Sequence, residues 1–132
     1  MKELNEIKQM TDVWQLPAIG KWKKNCGKHP TQKPLGLLAR LIQASTQPNA
    51  WILDPFSGSA TTGIAANLLD RKYLGLEMED EFLAMSKARR EEIEKPHVRS
   101  NYLDRLVKAK IILPSAKRIV ADDSSYDYGI PW

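Results

Sequence analysis

Cysteine is nearly absent from this 132-residue chain, where Cys26 stands alone. That excludes an intramolecular disulfide and a cysteine-based zinc site within one chain. No cysteine motif surrounds Cys26, so it reads as an incidental loop thiol, and no metal is expected. Long apolar runs are missing as well. None approaches the roughly 20 residues that a membrane helix needs, and the polar opening Met1 to Glu6 has no signal-peptide stretch. A cytoplasmic protein with no membrane partner is the expectation. Internal repeats and low-complexity tracts are lacking too, which removes solenoids and disordered arrays from consideration.

What is present is an ordinary globular mixture, 42% hydrophobic and 27% charged. The length suits one domain with a real but modest core. Twenty Lys and Arg against sixteen Asp and Glu leave a net charge of +4, an excess compatible with a polyanionic partner but shared by many proteins. The distribution says more. Lys21, Trp22, Lys23, Lys24, Lys28 and Lys33 fall in one stretch that no acid interrupts. Such a basic loop can touch phosphates while its indole stacks on a base; from charge alone, a solvated loop explains it equally well.

Residues up to about Gly27 show no sustained period. From Thr31 the pattern is helical, with Thr31 as a cap, Pro34 in the first turn, and Leu35, Leu38, Leu41 and Ile42 on one face. Gln47-Pro48-Asn49 stops it. Ala50 to Asp54 is a short apolar run ending in an acid, the pattern of a buried parallel strand. A Gly/Ser turn and a small-residue helix, about Ala60 to Leu69, come next. Tyr73 to Glu77 forms a second strand, again ending in an acid. Glu79 and Asp80 then open a charged helix with Phe82, Met85 and Ile93 inward, ended by Pro96. A further helix is expected over Tyr102 to Ile112, with Leu103, Leu106 and Val107 inward, before an irregular tail. Strand, helix, strand, helix in this order is the opening of an α/β open parallel sheet with flanking helices.

In such sheets a nucleotide-like ligand binds at the carboxyl ends of the strands, where Asp54-Pro55-Phe56-Ser57-Gly58-Ser59-Ala60-Thr61-Thr62 lies. Gly58 lets the backbone approach a ligand closely. Ser57, Ser59 and Thr61 offer short hydroxyls, and the following helix presents unpaired N–H groups to a carboxylate or phosphate. Glu77 comes about 20 residues after Gly58, the spacing of an acid that bonds ribose hydroxyls. A plain strand–turn–helix with a solvent-facing acid accounts for the same residues.

Ahead of this turn stands Lys28-His29-Pro30-Thr31-Gln32-Lys33-Pro34, then an amphipathic helix, then Asp54 to Ser59, then Gly75-Leu76-Glu77. The series resembles the N6-adenine/N4-cytosine DNA methyltransferases in the β-group order, in which the cofactor motifs come last, and the resemblance covers about Asp12 to Glu94. It implies a partial S-adenosylmethionine-dependent methyltransferase fold of Rossmann-like type, with S-adenosylmethionine as cofactor. The family's His-Pro-Thr-Gln-Lys-Pro segment helps bind the methionine part, which points to His29, Pro30, Thr31 and Lys33. Asp54, Phe56, Ser57, Gly58 and Ser59 match its cofactor turn, with Phe56 equally readable as core. Glu77 matches the acid that holds the ribose. Lys21, Trp22, Lys23 and Lys24 become candidate contacts to double-stranded DNA. Ala60 replaces the family's commoner glycine, a change without cost if Ala60 already lies in the helix.

One family element does not occur. The methyl-transfer loop, Asp/Asn-Pro-Pro-aromatic, holds the amine of a flipped base, and the sequence contains neither Asp-Pro-Pro nor Asn-Pro-Pro. Gly129-Ile130-Pro131-Trp132 is its nearest echo and lacks the side-chain acceptor, so no catalytic residue is assigned. The expected layout is a lead-in from the end of the target-recognition region (1–27), a cofactor-binding region (28–95), and a C-terminal helix with an irregular tail (96–132). Three readings stay open: one subunit of a split adenine-N6 (or cytosine-N4) methyltransferase of a restriction-modification system, an inactive truncated remnant, or a non-catalytic module that binds cofactor or DNA. A sheet this narrow should leave apolar surface for a catalytic or target-recognition subunit, or for a second copy of the chain.

Overall fold

Asn49 and Asp70 each precede a strand in left-handed backbone, at φ 65 and 58, a conformation that short polar side chains tolerate. The Asn49 N–H donates to the Asp70 carbonyl at 2.8 Å, and the Lys72 N–H donates to the Ala50 carbonyl at 2.9 Å. The two turns therefore start the strands side by side and set their register. The computed structural model describes residues 13–16 and 32–112. In chain order the elements are α1 (Leu35–Ser45), β1 (Trp51–Asp54), α2 (Thr61–Leu68), β2 (Lys72–Gly75), α3 (Asp80–Glu94) and α4 (Pro96–Lys108). β1 and β2 pair in parallel, Trp51 opposite Lys72 through Asp54 opposite Gly75. The class is α/β, with a two-stranded parallel sheet among the described residues.

α2 is the hub. Its small residues let α1 and the sheet come close, and Ile64, Ala65, Ala66 and Leu68 are buried in one cluster with Ala39 and Ile42 of α1. Ile93 of α3 and Leu103 and Leu106 of α4 complete that cluster, while Ile52 and Tyr73 pack against it from the strands. The Tyr73 side chain runs close to two glycines: a Cβ on Gly63 would stand 2.6 Å from the ring, and one on Gly75 2.5 Å from its hydroxyl. Two arginines tie the turns down. Arg71 bonds the Thr46 hydroxyl at 3.1 Å and carbonyl at 2.7 Å. Arg99 of α4 bonds the Asn67 side chain, the Asn67 carbonyl at 2.8 Å and the Asp70 carboxylate at 3.1 Å.

Several expectations need correcting. Pro34 is the residue before α1 rather than part of its first turn, since its extended backbone (ψ 130) is non-helical; Thr31 lies outside the described residues. Leu41 is 45% exposed, because it sits at the margin of the stripe formed by Leu35, Leu38, Ala39 and Ile42. The strands are buried on one face only. Side chains alternate across a strand, so Trp51 and Leu53 of β1 and Leu74 of β2 point away from α2 and are exposed, as is Leu76 just beyond β2. α4 starts at Pro96, ahead of the expected Tyr102. Proline forces the preceding residue into extended backbone, as at Lys95 (ψ 121), and is itself well suited to the first helical position. One proline thus ends α3 and begins α4. The expected irregular tail lies outside the described residues.

Candidate cofactor site

The turn between β1 and α2 is built from the strand ends outward. The Asp54 carboxylate accepts the Phe56 N–H at 3.2 Å, a local bond that turns the chain as it leaves β1. The Ser57 N–H donates to the Leu76 carbonyl at 2.9 Å and the Leu76 N–H to the Asp54 carbonyl at 2.9 Å, extending the strand pairing into the turn. Gly58 follows at φ 50, where glycine carries no side-chain penalty. Its N–H donates to one Glu77 carboxylate oxygen at 2.7 Å. The other Glu77 oxygen accepts the N–H groups of Met78 at 2.8 Å and Glu79 at 3.0 Å. Glu77 therefore joins the turn to the start of α3.

Ala60 is not helical. It precedes α2 at φ 52, ψ 38, the left-handed region that costs an L-residue about 1–2 kcal/mol. The idea that its methyl is free of cost fails, and the family's commoner glycine at this place has a backbone reason. Ser59 and Thr61 on either side are buried, their hydroxyls 3.4 Å apart. Ser57 is half-buried. Phe56 is 89% exposed and Met78 96% exposed, which rules out the reading of Phe56 as core. Two apolar side chains thus stand in the open on the two loops that the Gly58–Glu77 bond joins.

Tyr73 and Arg89 belong to this site and were not among the residues expected there. Burial pushes the Tyr73 phenol well above its ordinary value, and the Asp54 charge adds to this. The nearby Ser57 side chain works the other way, and the Glu77 charge raises it again. Arg89 of α3 is buried and donates to the Ser59 carbonyl and, at 3.1 Å, to the Thr61 hydroxyl. Its signal was in the helical period, since Arg89 falls four residues after Met85 and four before Ile93, on the inward stripe. Lys33 is exposed. His29, Pro30, Thr31, Lys21, Trp22, Lys23 and Lys24 lie outside the described residues. Among the described residues no cluster of three or more His, Cys, Asp or Glu is arranged for a metal, and no helix is long and apolar enough to cross a membrane.

A parallel strand pair with a glycine turn and a strand-end acid defines a class of small-molecule-binding α/β proteins. Comparison with known proteins narrows it. The N6/N4 methyltransferase family, described as DNA methylase, matches residues 2–88, and the chain belongs to that family. It is 64% identical over 93 residues to the type II methyltransferase M2.MboI of Moraxella bovis, covering 70% of this chain and 34% of that protein. The type II methyltransferase M2.DpnII of Streptococcus pneumoniae is 52% identical over 69% of this chain and 34% of its own length. The DNA adenine methyltransferase YhdJ of Escherichia coli (strain K12) is 41% identical over 64% of this chain and 29% of its own length. Among solved structures, the M1.HpyAVI–SAM complex aligns with a TM-score of 0.47 at 48% identity, covering 48% of this chain and 32% of that one. The chain spans about a third of the length of the curated relatives it matches.

Proposed function

We propose that this chain is the S-adenosylmethionine-binding portion of a site-specific DNA methyltransferase of a restriction-modification system, acting on adenine N6. The observation that carries this reading is the Glu77–Gly58 bond at 2.7 Å, which brings the strand-end acid against the glycine turn at the carboxyl ends of two parallel strands. The residues fit the cofactor chemically. Glu77 is placed to accept ribose hydroxyls, exposed Phe56 and Met78 offer apolar surface to a flat ring, and α2 begins without a side-chain cap, leaving first-turn N–H groups for a carboxylate. His29, Pro30, Thr31 and Lys33 would hold the methionine end. When bound, S-adenosylmethionine supplies an electrophilic methyl group; the residues here bind and orient it.

The acceptor side of the reaction comes from elsewhere. Without an Asp-Pro-Pro or Asn-Pro-Pro in these 132 residues, the loop that holds a flipped base belongs to polypeptide outside them, in the same protein or in a partner subunit. The open sheet face is suited to such a neighbour, or to a second copy. Lys21, Trp22, Lys23 and Lys24 would meet duplex DNA through phosphate contacts. Adenine is favoured over cytosine N4 because a relative at 41% identity is a DNA adenine methyltransferase. Calorimetric titration with S-adenosylmethionine tests the reading. Saturable binding is expected, weakened by about tenfold or more in Glu77→Ala, the usual scale for a lost charge-assisted bond. A folded chain that binds no cofactor, or a Glu77→Ala variant that binds as well as the parent, would sink it.

A further inference from the structure

We propose that Arg89 is the positioning residue of the cofactor turn, holding residues 59–61 in shape before any ligand arrives. The proposal rests on the reading of this turn as the cofactor site. Arg89 lies on α3 and is only 9% exposed. A guanidinium so deeply buried is costly unless its N–H groups are satisfied, and here one of its nitrogens bonds to the turn. One terminal nitrogen donates to the Ser59 carbonyl and to the Thr61 hydroxyl, and the Thr61 hydroxyl in turn lies 3.4 Å from that of Ser59.

The two acceptors straddle Ala60, the residue held in left-handed backbone. A bond to each side opposes the relaxation that Ala60 would otherwise favour. Two residues before Ala60, the Gly58 N–H is held by Glu77, at the entrance to α3. The turn is thus fastened at two points to one continuous segment, from Glu77 to the interior of α3. The Arg89 side chain faces inward with Ser59 and Thr61, beneath the turn, so its effect on a ligand passes through the backbone. Lysine keeps the charge, but its side chain ends one bond short of the terminal guanidinium nitrogen that reaches both acceptors.

Arg89→Lys and Arg89→Met, with Thr61→Val as a milder change that removes only the acceptor hydroxyl, separate these roles. Amide hydrogen exchange on the full chain is read at Ala60, whose N–H bonds the Ser57 carbonyl, and at the buried Leu103 and Leu106. For Arg89→Lys we expect exchange at Ala60 to quicken by about tenfold or more while Leu103 and Leu106 stay protected, the pattern of local rather than global opening. Cofactor affinity by calorimetry should fall in parallel, with Thr61→Val intermediate. Unchanged exchange at Ala60 in folded Arg89→Lys would overturn the proposal. So would weakened affinity with an unaltered turn, which would make Arg89 a direct ligand contact. Loss of protection throughout both Arg89 variants, with no change at Ala60 in Thr61→Val, would reduce Arg89 to a residue of the fold. A parent chain that binds no cofactor would refute the functional reading, and the exchange rates would still decide what Arg89 does to the turn.

Discussion

On one face of the sheet, Ile52 and Tyr73 lie under α2, against a cluster in which Leu68 and Ala65 have no exposed surface. On the other, Trp51 is 57% and Leu53 63% exposed, with Leu74 and Leu76 close behind. The same two strands supply both faces, from residues one apart. Parallel strands are nearly always covered on both sides, so the difference marks where the described part of the chain is self-sufficient and where it offers a surface. The Trp51 ring carries the Lys72 ammonium 5.6 Å from its centre, which shields little of the apolar face from water.

Truncation sharpens the contrast most. Leu68→Ala should destabilise the chain by about 3 kcal/mol, the usual cost of emptying a packed core site, whereas Leu53→Ala should cost under about 0.5 kcal/mol, as surface substitutions do. Denaturant midpoints measure both. A Leu53→Ala loss comparable to that of Leu68→Ala would show that the outer face is covered in solution, by a second copy or by other parts of the chain, and sedimentation would then tell which.

A second test uses Tyr73 on the covered face. Its phenol is neutral in the fold and its folded value is raised, so its contribution is fully present below the unfolded value of about 10 and is lost as pH rises above it. Stability measured by denaturant titration should therefore fall above about pH 10 in the parent chain, and Tyr73→Phe should flatten that decline. An identical alkaline decline in both would mean that the hydroxyl is not buried near the Asp54 and Glu77 charges.

The smallest effect belongs to Ala60→Gly, which separates backbone strain from packing at the edge of the covered face. Relief of left-handed backbone is worth about 1–2 kcal/mol, and the buried methyl that is lost is worth about 0.8 kcal/mol. Strain wins narrowly, so the thermal midpoint should rise slightly, by no more than about 1 kcal/mol of stability. A fall would mean that the methyl packs better than the backbone suffers.

Much of this was legible in the residues themselves. Short apolar runs ending in Asp54 and near Glu77, with small residues between them, determined a parallel strand–helix–strand unit, because only small side chains let a helix lie close to a sheet. The motif series from Lys28 to Glu77 determined the family. Local spacing also placed Gly58 and Glu77 in reach of one another. Other features depended on which surfaces met. Pro96 as the start of α4, rather than only the end of α3, turns on a helix that has α2 and α3 to pack against. The left-handed state of Ala60 arises where the turn must join β1 to α2 over a fixed span, a demand that no propensity of alanine reveals. Charge pattern alone makes Arg89 one more cation on a charged helix. Tertiary contact buries it beneath the turn, where the Ser59 carbonyl and Thr61 hydroxyl are on hand to satisfy a guanidinium removed from water.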